Sequence, residues 1–119
     1  MALLAYKNVG ITGLSAAVPK NTIDNYTHDL YFTREEIREV VDKIGVRQRR
    51  FAGSDVCSSD LCFAAAENLI REMSVDRNEI DLLIFISQTP DYKMPATSVL
   101  LQERLRLNSD TIAFDVNLG

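Results

Sequence analysis

"DLLIFISQTPD", Asp81 to Asp91, decides the fold class. A strand with one wet face alternates apolar and polar residues, because successive side chains point to opposite sides. Leu82 to Ile86 is apolar without alternation, the mark of a strand buried on both faces, as in a sheet held between helices. The run is far shorter than the roughly 20 residues a membrane helix needs. Ser87-Gln88-Thr89-Pro90-Asp91 follows at the carboxyl end, where α/β sheets present their ligand-binding groups.

Working outward, "MPATSVLLQERLRL" (94–107) predicts a helix, with Pro95 tolerated at or just before its first turn. "DTIAFDV" (110–116) predicts a second buried strand. On the other side, "SSDLCFAAAENLIREM" (58–73) predicts a helix with Ser59 as its cap and the charge of Asp60 on its first turn. Its inward stripe is Cys62, Ala65, Ala66, Leu69, Ile70 and Met73, and the alanines let it lie close to a neighbour. "FTREEIREVVDKIG" (32–45) carries the clearest helix signals. Thr33 with Glu36 makes a capping box, Ile37, Val40, Val41 and Ile44 form one apolar stripe, and Gly45 supplies a left-handed stop.

In "NVGITGLSAAVPKNTIDN" (8–25), Val9 and Ile11 alternate around small residues before a Pro-Lys-Asn turn, which predicts a strand leading into a loop. Gly10 and Gly13 make no phosphate-binding fingerprint. The order strand, helix, helix, strand, helix, strand is that of an α/β protein.

At 119 residues the chain is one domain at most, with 46% apolar and 25% charged residues. A net charge of −4, with the basic residues in no single long run, argues against a nucleic-acid binder. No apolar stretch predicts a membrane span, the N-terminus lacks the pattern of a signal peptide, and a cytoplasmic location fits. Cys57 and Cys62 show no metal-ligand spacing; they read as a loop thiol and a small buried thiol, and no metal is expected. His28 reads as an exposed loop residue. Arg47, Arg49 and Arg50 fall within four residues, a pattern that is more often a solvated edge, with an anion site as the competing reading.

"FDVNLG" (114–119) closes the second buried strand and begins what reads as a strand-to-helix turn, where α/β enzymes place nucleophiles. No closing helix follows, so the last strand is expected to lie uncovered, as in a fragment.

"ITGLSAAVP" (11–19), "IGVRQRRFA" (44–52), "SSDLCFAAAENLI" (58–70), "EIDLLIFISQTPDYKMPATS" (79–98) and "AFDVNLG" (113–119), in this order and spacing, carry a family resemblance. The chain resembles the N-terminal third of 3-oxoacyl-[acyl-carrier-protein] synthase III and its relatives in the thiolase superfamily. The resemblance implies a thiolase-like α/β fold, represented by its N-terminal half only, as an incomplete mixed sheet flanked by helices. Residues 1–119 are then a partial domain truncated just before the nucleophilic cysteine, expected directly after Gly119. The family's histidine and asparagine would lie in the missing half, so no catalytic residue is expected in this chain, and the fragment alone is expected to be inactive. Cys57 and Cys62 lie in the wrong segment to replace the nucleophile.

The implied reaction is ping-pong. An acyl group passes from coenzyme A or a carrier thioester to the cysteine, whose place at a helix N-terminus favours thiolate. Malonyl-acyl carrier protein then loses carbon dioxide, and the carbanion attacks the acyl-enzyme, which initiates fatty acid synthesis. Implied partners are acyl carrier protein, acyl-coenzyme A and a second subunit in a homodimer, with no nucleic acid, no membrane and no cofactor beyond the thioester substrates. A synthase-III-like enzyme of secondary metabolism and a non-catalytic partner subunit of the same fold are the alternatives.

Residue by residue, Lys43 falls where the family has an arginine that meets coenzyme A phosphates. Glu39 falls where well-known members stack a tryptophan on the adenine, a departure that puts the donor in question. Arg47 is the third expected substrate-binding residue alongside Lys43 and Met94, with structural ion pairing as an equal reading. Met94 matches a position that crosses the dimer interface and closes the partner's acyl pocket; an ordinary interface or core methionine is the equal alternative. Arg49 and Arg50 are weaker expectations for contact with the carrier protein. Leu118 departs mildly from the family's small residues before the nucleophile.

Overall fold

Two strand pairs organise residues 4–117, the part of the chain that the computed structural model describes. The first pair joins β1 (Asn21–Asp24) to β2 (Gln48–Phe51), antiparallel, with Asn21 opposite Phe51 and Asp24 opposite Gln48. Between them runs α1 (Arg34–Ile44), and its boundaries are those its local chemistry sets. Thr33 Oγ1 accepts the Glu36 N–H at 3.3 Å, and Glu36 Oε2 accepts the Thr33 N–H at 2.8 Å. The Thr33 N–H, then its hydroxyl, hold the Glu36 carboxyl below the usual carboxylate range. Gly45, at φ 75°, ends the helix and donates its N–H to Val41 O at 2.8 Å. Of the expected stripe, Ile37 and Val41 are buried, while Val40 and Ile44 are exposed.

The second pair joins β3 (Leu82–Ile86) to β4 (Ile112–Val116), parallel, with Leu82 opposite Ile112 and Ile86 opposite Val116. α3 (Thr97–Arg104) makes the crossover that a parallel pair requires, and it packs on both strands. α2 (Ser58–Met73) packs in turn on α3. One face of the ribbon, with Leu83, Phe85, Ala113 and Asp115, turns toward α3, and Phe85 joins Leu101 and Leu105 in the core. The opposite face, with Leu82, Ile84, Ile86, Ile112 and Phe114, is open.

Several expectations are corrected. No strand forms at Val9 and Ile11, and β1 starts at Asn21. The segment lies on α2 instead, so closely that a Cβ on Gly13 would stand 2.1 Å from Met73 Sδ and 2.8 Å from Leu69 Cδ1. β2 forms in the arginine-rich stretch, where no alternation predicts it. β3 is buried on one face rather than two. Cys57, not Ser59, stands at the N-cap of α2, with its N–H donated to Asp60 Oδ2 at 2.9 Å. Cys62 is exposed rather than buried. His28 is half-buried, because the turn before α1 folds it against the helix.

The one-sided burial of β3 goes with an open shape. A compact domain of 13.4 kDa would expose about 6,500 Å², and this chain exposes 9,917 Å². Its radius of gyration is 18.8 Å, against roughly 13–14 Å for a compact chain of this length. The sequence carries a pattern for burial that these residues alone do not complete.

Candidate functional site

The carboxyl ends of β3 and β4 lie side by side, joined where Ser87 donates its N–H to Val116 O at 3.2 Å. Three stretches converge on this edge: the 87–91 loop, the start of α3 and Asn117. The convergence depends on Asp115. Its Oδ2 accepts the Thr97 N–H and its Oδ1 the Ser98 N–H, each at 2.8 Å. These amides are among those a helix leaves without intrahelical acceptors, and both residues are fully buried. Burial pushes the Asp115 carboxyl up, but the hydrogen bonds from Ser98 and Thr97 outweigh it and hold the group below the usual carboxylate range. Met94, three residues before Thr97, is therefore carried to the same end as Asn117, with its side chain 87% exposed. Leu118 and Gly119, and with them the expected nucleophilic turn, lie outside the described residues.

A polar node fixes the 87–91 loop to the two helices. The hydroxyl of buried Ser59 donates to Asp91 Oδ2 and accepts from Arg104 Nη1 at 3.2 Å. Arg104 Nη2 also meets Asp60 Oδ1 at 2.8 Å, and its guanidinium stands 4.6 Å from the centre of the Phe63 ring. Although Cys62 is exposed as a residue, desolvation of its sulfur by neighbouring groups, and then the charge of Asp91, push the thiol up, the opposite of what a nucleophilic cysteine needs.

Of the predicted cations, Lys43 lies in α1, Arg47 just before β2, and Arg49 and Arg50 in β2. Lys43 Nζ pairs with Glu39 Oε1 at 2.6 Å, one turn apart on the exposed face of α1. Arg47 Nε stands 3.4 Å from Asp24 Oδ2 and remains 71% exposed. Arg49 lies 4.8 Å over the Phe51 ring. Arg50 donates to Pro19 O at 2.9 Å and Lys20 O at 3.4 Å, latching the loop before β1. Arg49 and His28 border an apolar groove of about 270 Å³ along α1, floored by Ile37, Val40, Val41 and Ile44. Among the described residues no cluster of three or more His, Cys, Asp or Glu could hold a metal, and no helix is long and apolar enough to cross a membrane.

Sequence reasoning missed Asp115 and Arg104, and it reached Asp91 only as one of five residues at the end of β3. One signal for Asp115 was present: it is the single charged residue in the apolar strand 112–116, and a carboxylate there must find partners.

No family model matches the chain. A curated Campylobacter jejuni protein that carries the name of a 3-oxoacyl-[acyl-carrier-protein] synthase 3 is 32% identical over 109 residues, 89% of this chain and 31% of that protein. The crystal structure of a 3-oxoacyl-(acyl-carrier protein) synthase from Burkholderia xenovorans superposes with a TM-score of 0.85 at 40% identity, over 89% of this chain and 30% of that one. The β-ketoacyl-[acyl carrier protein] synthase III of Thermus thermophilus gives 0.78 at 34% identity, over 91% and 33%. The chain thus spans about a third of the length of these relatives. Over that third the chain is similar, in sequence and in fold, to 3-oxoacyl-[acyl-carrier-protein] synthase III proteins of thiolase-like fold.

Proposed function

We propose that the protein containing this chain is a condensing acyltransferase, which joins an acyl thioester to malonyl-acyl carrier protein with loss of carbon dioxide. The observation that carries this reading is the edge at the ends of β3 and β4, where Asp115 ties the start of α3 to β4. A cysteine directly after Gly119 attacks the donor carbonyl, and the donor thiol leaves with a proton. Malonyl-acyl carrier protein loses carbon dioxide, its carbanion attacks the acyl-enzyme carbonyl, and the cysteine thiolate is released. A histidine and an asparagine outside this chain stabilise the charge that develops. The reaction initiates fatty acid synthesis in the cytoplasm, in a homodimer whose Met94 side chains border the partner's acyl pocket.

The Lys43–Glu39 pair favours a second reading of the donor: an acyl group not delivered as acetyl-coenzyme A, as in secondary metabolism. Arg47 is proposed as a substrate-binding residue, with the Asp24 contact supporting its structural ion-pair reading. Arg50 is engaged by the Pro19 and Lys20 carbonyls, so of the two residues Arg49 is better placed to receive an acidic carrier protein.

The test is intact-mass measurement of the full-length protein after incubation with acyl-coenzyme A and acyl carrier protein thioesters. A covalent acyl adduct on a cysteine directly after Gly119, discharged by malonyl-acyl carrier protein, is the expected result. No adduct from any donor overturns the reading, and a residue other than cysteine there points to the non-catalytic partner subunit. The isolated 119-residue chain is expected to take up no acyl group.

A further inference from the structure

A second charged place lies toward the amino ends of β3 and β4. A hollow of about 270 Å³ there is lined by Phe63, Glu67, Arg77, Arg104 and Arg106. Arg77 comes from the turn before β3, Arg104 from the last turn of α3, and Arg106 from the turn that follows it. Three guanidiniums thus border the hollow with one carboxylate, in a chain whose net charge is −4. Even with Asp60 set against Arg104, positive charge remains in excess. Most of the N–H donors are open: Arg77 engages three, Arg104 two, and Arg106 none among the described residues. Arg106 is also strained. Its φ of 54° lies in the left-handed region, where its N–H and that of Leu107 close α3 on Glu103 O and Gln102 O, at 2.9 and 3.0 Å. Glycine ordinarily stands at this place in a helix stop, because it has no Cβ to strain. The other described non-glycine residues at positive φ, Asn8 and Ser74, carry short polar side chains. Backbone groups alone make the stop, so nothing in it calls for an arginine.

We infer that Arg106, with Arg77 and Arg104, forms a binding site for a phosphate-type dianion, separate from the proposed site of condensation. Two of the guanidiniums are preset: Glu67 holds Arg77, and Asp60, Ser59 and the Phe63 ring hold Arg104. Arg106, exposed and without an ion pair among the described residues, supplies the fork that completes the site. A tetrahedral oxyanion offers oxygens to several such forks at once, whereas a planar carboxylate matches one. The free ion and the phosphoryl end of an ester share this chemistry.

The experiment is calorimetric titration of the full-length protein with inorganic phosphate, phenyl phosphate and acetate, at low salt and a pH where both phosphates are dianions. Wild type should bind phosphate, and Arg106→Gly should weaken that binding at least tenfold. The Tm of ligand-free Arg106→Gly should equal or exceed that of wild type, because glycine relieves the left-handed position. Lys43→Gln, in the region proposed for the donor's phosphates, should leave the phosphate affinity unchanged. Phenyl phosphate binding tighter than phosphate identifies an ester whose apolar body rests on Phe63; equal or weaker binding identifies the free ion. No phosphate binding by wild type, or binding that survives Arg106→Gly, overturns the site. Acetate binding as tightly as phosphate would show only a positive field and overturn it too. If Arg106→Gly does not fold, Arg106→Asn also tolerates the left-handed region and should weaken phosphate binding at least tenfold. None of these results depends on whether the protein condenses acyl groups.

Discussion

The two strand pairs share a chain but are held by different means. β1 and β2 expose every residue of β2, and their neighbourhood is tied by polar latches: Arg50 to the Pro19 carbonyl, Asn25 Nδ2 to Val46 O at 2.8 Å, and the Tyr26 hydroxyl to Asp42 at 2.5 Å. β3 and β4 rest on a helix, a small core and one shared carboxylate. Exposed hydrogen bonds compete with water and contribute little net, whereas removing a buried acceptor costs the full desolvation of its donors. The cations of the first region are therefore solvated and adjustable. The geometry of the second is fixed. A donor's phosphates can be met by the first kind of surface; a reacting bond needs the second.

The sharpest way to break this contrast is to empty each core. In the full-length protein, Leu101→Ala should cost about 2–5 kcal/mol, because Leu101 is 3% exposed between α3 and the sheet. Val41→Ala should cost less, since its site opens onto the groove along α1. Chemical denaturation of both variants checks this, and equal losses would erase the distinction.

Acid gives the next largest effect. The folded Asp115 carboxyl lies below its ordinary value, so its contribution is complete above the unfolded pKa, near 3.9. That contribution fades as pH falls through the lower folded value. Thermal unfolding followed below about pH 4 should show a steeper loss in wild type than in Asp115→Asn. Glu36 shifts in the same direction in the first region but is exposed, so Glu36→Gln should alter the acid limb less.

Smaller still is Thr33→Ala, expected to cost about 1 kcal/mol by removing the α1 cap, with exchange accelerated in the first turn of α1 and not in α3. Smallest is Glu39→Gln, which should leave stability within about 0.5 kcal/mol, as for other exposed pairs. It should still strengthen binding of coenzyme A to the full-length protein, by freeing Lys43. Calorimetry showing unchanged affinity would remove Lys43 as a phosphate contact.

How much was legible in the sequence follows the same division between local and distant causes. α1 could be read to the residue, because Thr33, Glu36 and Gly45 act within a turn of the groups they satisfy. The Lys43–Glu39 pair was also within reach, as a glutamate four residues before a lysine on one helix. β3 and β4 announced themselves by apolar runs, and the uncovered last strand was expected, although the run in β3 promised burial on both faces. β2 is "QRRF", polar and short, and it is a strand only because β1, from 24 to 30 residues earlier, supplies its ladder. Asp91 and Ser59 meet across 32 residues, and Asp115 and Thr97 across 18. No periodicity encodes such a meeting.

The parallel pairing of β3 with β4 also bears on the minutes and seconds of synthesis. Thirty residues separate Leu82 from its ladder partner Ile112, so at roughly 5–20 residues per second a ribosome leaves "LLIFI" unpartnered for a few seconds. That run is uncharged and free of proline, the composition that seeds cross-β association. Asp81 stands directly before it and puts a charge at the mouth of any stack of identical strands. Replacing Asp81 with a neutral residue would then be felt first as lower yield of nascent chains, before any change in the finished protein.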